Sequence, residues 1–146
     1  MTSGNPSSAC GLDHYAQGGV VVDGIAYFTG NHKDYWELGR DKGPDFPYVV
    51  SFDTGSFRKI RTYNFKDTYD SSPLVIRTAK GKWLVLAHEW ETERTVAMDR
   101  DSGEVEWTSP ANQPGKLYFG STWWEWPDGG KVVLVPAGNG LHALSS

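Results

Sequence analysis

A chain of 146 residues carrying 17 Gly, 8 Pro, 7 Trp, 7 Tyr and 6 Phe joins turn residues to strand formers and lacks Ala-, Leu- and Lys-rich stretches. An all-β fold is therefore expected, in a chain long enough to bury a core without disulfides or metals. The formal charge of −4 with no basic run argues against a nucleic-acid partner, and apolar runs such as Val132 to Val135 are far short of a transmembrane helix.

Residues 1–18 are rich in Ser, Gly, Asn and Pro and show no helical or strand period, so they read as a loose N-terminal leader. Cys10 is the single cysteine and excludes an intrachain disulfide. Ser8-Ala9-Cys10 is similar to the end of a bacterial lipoprotein signal, but no apolar segment precedes it, and a free thiol is the expectation.

Strand signals begin after the leader. Val20 to Val22 is a short apolar run, Asp23-Gly24 is a hairpin turn signal, and Ile25 to Thr29 is the returning strand. After a long insertion come Tyr48 to Phe52, the turn Asp53-Thr54-Gly55, and Phe57 to Tyr63. The same order recurs in Pro73 to Ile76, Lys82 to Ala87, Thr95 to Met98 and, past Asp101-Ser102-Gly103, Glu104 to Trp107. A third copy runs through Ser121 to Trp124, Lys131 to Val135 and Leu141 to Leu144, and stops one strand short.

Phe52, Met98 and Leu144 fall at equal separations of 46 residues (52 to 98, 98 to 144). That period suits a four-stranded propeller blade of roughly 40 to 50 residues, whereas a sandwich or open meander has no reason to keep one repeat length with one turn chemistry. The fold class expected is an all-β propeller fragment of about three four-stranded antiparallel blades. Blade 1 covers about 19–63, blade 2 about 71–108 and an incomplete blade 3 about 120–146. A propeller needs about four to eight blades, so three leave two apolar faces bare. Completion by self-association, with a dimer of about six blades, or by further sequence is expected.

The segment Ala97-Met98-Asp99-Arg100-Asp101-Ser102-Gly103-Glu104-Val105-Glu106-Trp107 resembles the A-x-D-x-x-T-G-x-x-x-W signature of the pyrroloquinoline-quinone-like (PQQ-like) propeller repeat. Ser71-Ser72-Pro73-Leu74-Val75 resembles that family's first-strand opening, and Gly138 to Leu144 resembles the stretch leading into its third strand. The resemblance covers roughly residues 19–146 and implies a blade whose Asp and Gly make the last turn while Trp packs on the neighbouring blade. In the first repeat Lys59 and Ile60 stand where the Trp is expected, so that blade should lack its docking ring. The family includes quinoprotein dehydrogenases and cofactor-free scaffolds, and the resemblance implies an extracytoplasmic (periplasmic or secreted) location.

In an antiparallel blade the turns between strands one and two and between three and four share one end, and the remaining connections share the other. The first end receives short turns. The second receives the long loops, where binding residues concentrate on a rigid scaffold. The candidate ligand-binding residues are His32, Tyr35, Trp36 and Glu37 in one loop, and His88, Glu89, Trp90 and Glu91 in another. Trp beside carboxylates stacks on a sugar ring and accepts its hydroxyl hydrogen bonds, or holds a cation; the same residues also suit capping of the blade ends. Trp124, in a cluster with Trp123, Glu125 and Trp126, completes the candidate set, one of Trp123 and Trp124 being expected to face the central channel and the other the blade packing.

Catalytic signals are weak. His14, His32, His88 and His142 have no metal-ligand spacing, Glu89 and Glu91 are two apart without opposed placement, and no cysteine pair is present for a quinone site. No catalytic, cofactor-binding or metal residues are assigned, and no cofactor is expected. The expected function is a non-catalytic binding or scaffold module that presents aromatic and acidic loops to a protein or carbohydrate partner. The alternative is a fragment of a propeller enzyme, a quinoprotein oxidoreductase or a glycosidase, whose site needs residues outside this chain.

Overall fold

A computed structural model describes residues 19–30, 48–65, 72–89, 92–110, 122–137 and 140–145. All regular structure among them is β-strand. Strands β1 (Gly19–Val22), β2 (Ile25–Gly30), β3 (Tyr48–Asp53) and β4 (Lys59–Asn64) form one antiparallel sheet in chain order. Strands β5 (Leu74–Arg77), β6 (Trp83–Glu89), β7 (Arg94–Asp99) and β8 (Val105–Thr108) form a second in the same order. Strands β9 (Thr122–Glu125), β10 (Lys131–Ala137) and β11 (Gly140–Ser145) form a third. Three up-and-down meanders of one topology follow one another, the last with three strands among the described residues.

The sheets stack face to face. Tyr27, Val49, Tyr63 and Phe65 from the first share a core with Val75, Val85, Ala87, Val96 and Met98 from the second. The opposite face of the second sheet, with Ile76, Leu86 and Ala97, meets Val133 and Val135 of the third. Side chains alternate between the two faces of a strand, so each sheet contributes one set of residues to each neighbour. This is the packing of successive propeller blades, built on burial worth roughly 1.5–3 kcal/mol for each large apolar side chain. Trp107, for which burial is expected, is half-buried and packs against the core between the second and third blades. Val96 and Met98 are fully inside.

The two outer faces differ in cover, although Val21, in register with Ala26 and Phe52 on the outer side of blade 1, is 65% exposed. On the outer side of blade 1, Val50 and Phe52 are buried with Phe28 against them. The outer side of blade 3 remains open at Trp124 and Leu141.

The turns closing blades 1 and 2 are superposable in their hydrogen bonds. Asp53 Oδ1 accepts from Ser56 N at 2.6 Å and Asp99 Oδ1 from Ser102 N at 2.6 Å. Phe57 N donates to Asp53 O at 2.8 Å and Gly103 N to Asp99 O at 2.9 Å. Phe57 and Gly103 both take left-handed backbone angles, φ 56° and 77°. A β-bulge follows in each blade, after which Ser51 pairs with Arg61 and Ala97 with Trp107. The counterpart of Gly103 is therefore Phe57 and not Gly55, and the counterpart of Trp107 is Arg61 rather than Lys59 or Ile60. Sequence matching on the Gly misplaced the register by two because the turn conformation is set by the Asp side chain and backbone bonds, which tolerate Phe at the left-handed position.

Candidate functional site

The first end of the blades is a hydrogen-bonded lattice of short turns. Thr54 N and Thr54 Oγ1 both donate to Gly24 O, at 3.0 and 2.8 Å, tying the two turns of blade 1 together. Arg61 donates to Ser102 O at 3.0 Å and to Asp101 O, and Tyr63 Oη donates to Arg100 O at 2.7 Å. Arg100 in turn pairs with Asp23 at 3.1 Å and lies 5.0 Å over the Trp83 ring. These groups cross-link blades 1 and 2, so the end that receives the short turns also joins the blades.

Two groups at this end are displaced from their ordinary ionisation values. The Asp99 carboxyl is held down to about 2, chiefly by the Ser102 amide, and helped by Lys82 at 3.1 Å. Burial pushes the Tyr27 hydroxyl up to about 12. Between blades 2 and 3 the same end opens into a groove of about 420 Å³ lined by Arg77, Thr78, Gly81, Glu125, Asp128 and Lys131. Its charges are satisfied within the protein, Lys131 by Glu125 at 3.1 Å and Arg77 through Nε to Gly81 O at 3.2 Å.

At the second end, β6 and β7 run further than the apolar pattern indicates. His88 pairs with Thr95 and Glu89 with Arg94, which puts both candidate residues on a strand and not in a loop. They are 3% and 6% exposed, contrary to the expectation of a solvent-facing acidic loop. Side-chain hydrogen bonds account for this. His88 Nδ1 and Thr95 Oγ1 are 3.3 Å apart, and Thr92 Oγ1 donates to Glu89 Oε2 at 2.8 Å. Thr95 N donates to Ser109 Oγ and Ser109 N to Thr95 O, each at 2.9 Å, so three strands share one polar rim. Buried polar groups are stable when paired in this way. The local signal was the Thr92, Thr95 and Ser109 spacing, which is invisible until the strands are paired.

Trp124 is 58% exposed, its ring edge-on to Trp126 at a centroid distance of 6.4 Å. Trp123 carries the Lys131 ammonium 5.5 Å from its ring. Neither ring faces a channel. In β9 they pair with Val132 and Val133, and side chains on such a strand stand perpendicular to the sheet, toward the neighbouring blades, while a channel lies in the sheet plane beyond its edge. Val133 belongs to the blade 2 core, so Trp123 is on the blade 2 side and Trp124 on the open side. Trp124 lies toward the first end of blade 3, away from His88 and Glu89 at the second end of blade 2. His32, Tyr35, Trp36, Glu37, Trp90 and Glu91 lie outside the described residues.

Among the described residues no three His, Cys, Asp or Glu side chains converge as a metal site would require, and no helix is long and apolar enough to cross a membrane. No protein-family model matches the chain. No curated protein matches it either. Among solved structures it is similar to a europium-containing methanol dehydrogenase, with 15% identity and a TM-score of 0.47 over 84% of this chain. The chain spans 23% of the length of that dehydrogenase.

Proposed function

We propose that this chain is a non-catalytic propeller-type binding or scaffold module that engages a protein or carbohydrate partner through the loops at the second end of its blades. The observation behind this reading is the contrast between the two ends. The first end is a set of short turns in which Arg61, Arg100 and Lys131 are engaged by neighbouring carbonyl and carboxylate groups. At the second end the buried rim of His88, Glu89, Thr92, Thr95 and Ser109 fixes the bases from which the long aromatic and acidic segments depart. A fixed base lowers the ordering cost of a binding loop. His88 and Glu89 thus serve in this reading as the support of the connection that carries Trp90 and Glu91, and an extracytoplasmic location belongs to the reading as well.

The test is a tryptophan-fluorescence titration of the whole chain with soluble neutral and cationic oligosaccharides, repeated on Trp36→Ala and Trp90→Ala. A saturable response lost in either variant supports the reading. A response to pyrroloquinoline quinone with calcium, accompanied by dye-linked alcohol oxidation, overturns it in favour of an enzyme fragment.

A further inference from the structure

The two blade junctions finish differently at the first end. Between blades 1 and 2 the turns bond to one another, Arg61 to Asp101 O and Ser102 O, Tyr63 to Arg100 O, and Arg100 to Asp23. Between blades 2 and 3 the ion pairs stay within one blade, Lys82 with Asp99 at 3.1 Å and Lys131 with Glu125 at 3.1 Å. Each wall is braced by its own strands, and the space between them is the groove of about 420 Å³. That volume falls within the roughly 300–1,000 Å³ of small-molecule sites. Arg77 and Thr78, entering the β5–β6 turn, line one side; Glu125, the turn at Asp128-Gly129 and Lys131 line the other.

The ionisable side chains lining the groove balance, Arg77 and Lys131 against Glu125 and Asp128. A strongly anionic or cationic ligand would meet as much repulsion as attraction there. Each group uses only part of its hydrogen-bonding capacity within the protein. Lys131 pairs with Glu125 Oε2, Asp128 Oδ1 accepts from Gly130 N at 3.0 Å, and Arg77 Nε donates to Gly81 O at 3.2 Å. An ammonium has three donors, a guanidinium five, and each carboxylate a second oxygen. Thr78 Oγ1 accepts from Lys82 N at 3.1 Å and keeps its own proton to donate. The Lys131 side chain is only 16% exposed, held between Glu125 and the Trp123 ring 5.5 Å away, so this donor is fixed in advance of binding. Trp123, Glu125 and Lys131 share the face of blade 3 that looks toward blade 2, where the exposed part of the Trp123 ring adds apolar surface. Balanced charge, donors beside acceptors and an aromatic ring on one face match a sugar, whose hydroxyls both donate and accept and whose C–H face packs on a ring.

We propose that the groove between blades 2 and 3 binds a neutral mono- or disaccharide, with Lys131 and Arg77 donating to sugar hydroxyls and Glu125 and Asp128 accepting from them. This site lies at the opposite end of the blades from the second-end loops and does not depend on them.

The experiment is isothermal titration calorimetry of the full chain with glucose, galactose, maltose and cellobiose, with spermidine and citrate as cationic and anionic counterparts. Saturable binding of at least one of these sugars is expected, nearly unchanged between low and high salt because no ligand charge is neutralised. Glu125→Gln exchanges a carboxylate acceptor for an amide of the same shape. Gly129→Asn sets a side chain on the groove wall, where a Cβ has no atom within 4 Å and where Asn tolerates the left-handed backbone at φ 85°. Each should weaken binding about tenfold or more, with unchanged circular dichroism confirming the fold, whereas Trp36→Ala and Trp90→Ala should leave it intact. No saturable sugar binding, tighter binding of spermidine or citrate, or sugar binding that survives both groove variants overturns the proposal. Sugar binding lost in the Trp36 or Trp90 variant and kept in the groove variants assigns the ligand to the second end and overturns it as well.

Discussion

Arg61 in blade 1 reaches the turn of blade 2 and donates to the carbonyl oxygens of Asp101 and Ser102 from the strand position that Trp107 holds one repeat later. Where blade 2 docks on its neighbour with an aromatic ring, blade 1 uses a guanidinium fork on backbone acceptors. Arg61→Ala should lower stability by about 1 kcal/mol, a modest figure because the bonds are solvent-accessible. Arg61→Lys should recover little, since an ammonium cannot reproduce the planar fork. Urea midpoints of the three proteins, with unchanged slope, check this.

Phe57 occupies a left-handed conformation at φ 56° with its side chain 82% exposed, so it carries backbone strain without compensating burial. Phe57→Gly should raise stability by roughly 0.5–1 kcal/mol, strain relief being partly offset by the freer unfolded chain. The converse holds at Gly103, with φ 77°, where a Cβ would come 3.3 Å from Arg61 Nη1. Gly103→Ala should destabilise and should also weaken the Arg61 contact. Thermal melts of both variants give opposite shifts if the turns are equivalent.

Asp99 ionises well below an ordinary carboxyl, near 2, because it accepts from the Ser102 amide and pairs with Lys82. A depressed folded-state value stabilises the protein above the unfolded value of about 4, and the contribution is lost as pH falls from there toward about 2. Asp99→Asn should flatten the acid limb of stability over that window while leaving the neutral-to-alkaline limb in shape. An acid limb of the same slope in wild type and variant, from denaturant titrations at several pH values, would count against it.

Trp107 is half-buried in the core that joins blade 2 to blade 3. Trp107→Ala should cost about 2 kcal/mol, less than for a fully enclosed ring. The loss should be directional: hydrogen exchange should quicken in β10 more than in β3, whose contacts with blade 2 pass through the opposite face. Equal acceleration in both strands would show that the sheets unfold as one unit.

The sequence by itself determined the all-β class, the repeated meander and its 46-residue period, because alternation and turn residues are local properties written in each blade, as is the Asp-initiated turn in blades 1 and 2. The order of strands in every sheet follows from them. Tertiary structure decided what each exceptional residue does. Arg61 could be identified as the partner of a neighbouring turn only once the bulges at Ser51 and Ala97 fixed the register. His88 and Glu89 read as loop residues beside Trp90, yet pairing with Thr95 and Arg94 draws them into a buried rim. Trp123 and Trp124 have the same local sequence signal and lie on opposite sides of blade 3, one toward blade 2 and one toward the open face. The physical reason is common to all three: a side chain's partner across a sheet or between blades is set by pairing register and stacking, which link residues dozens of positions apart.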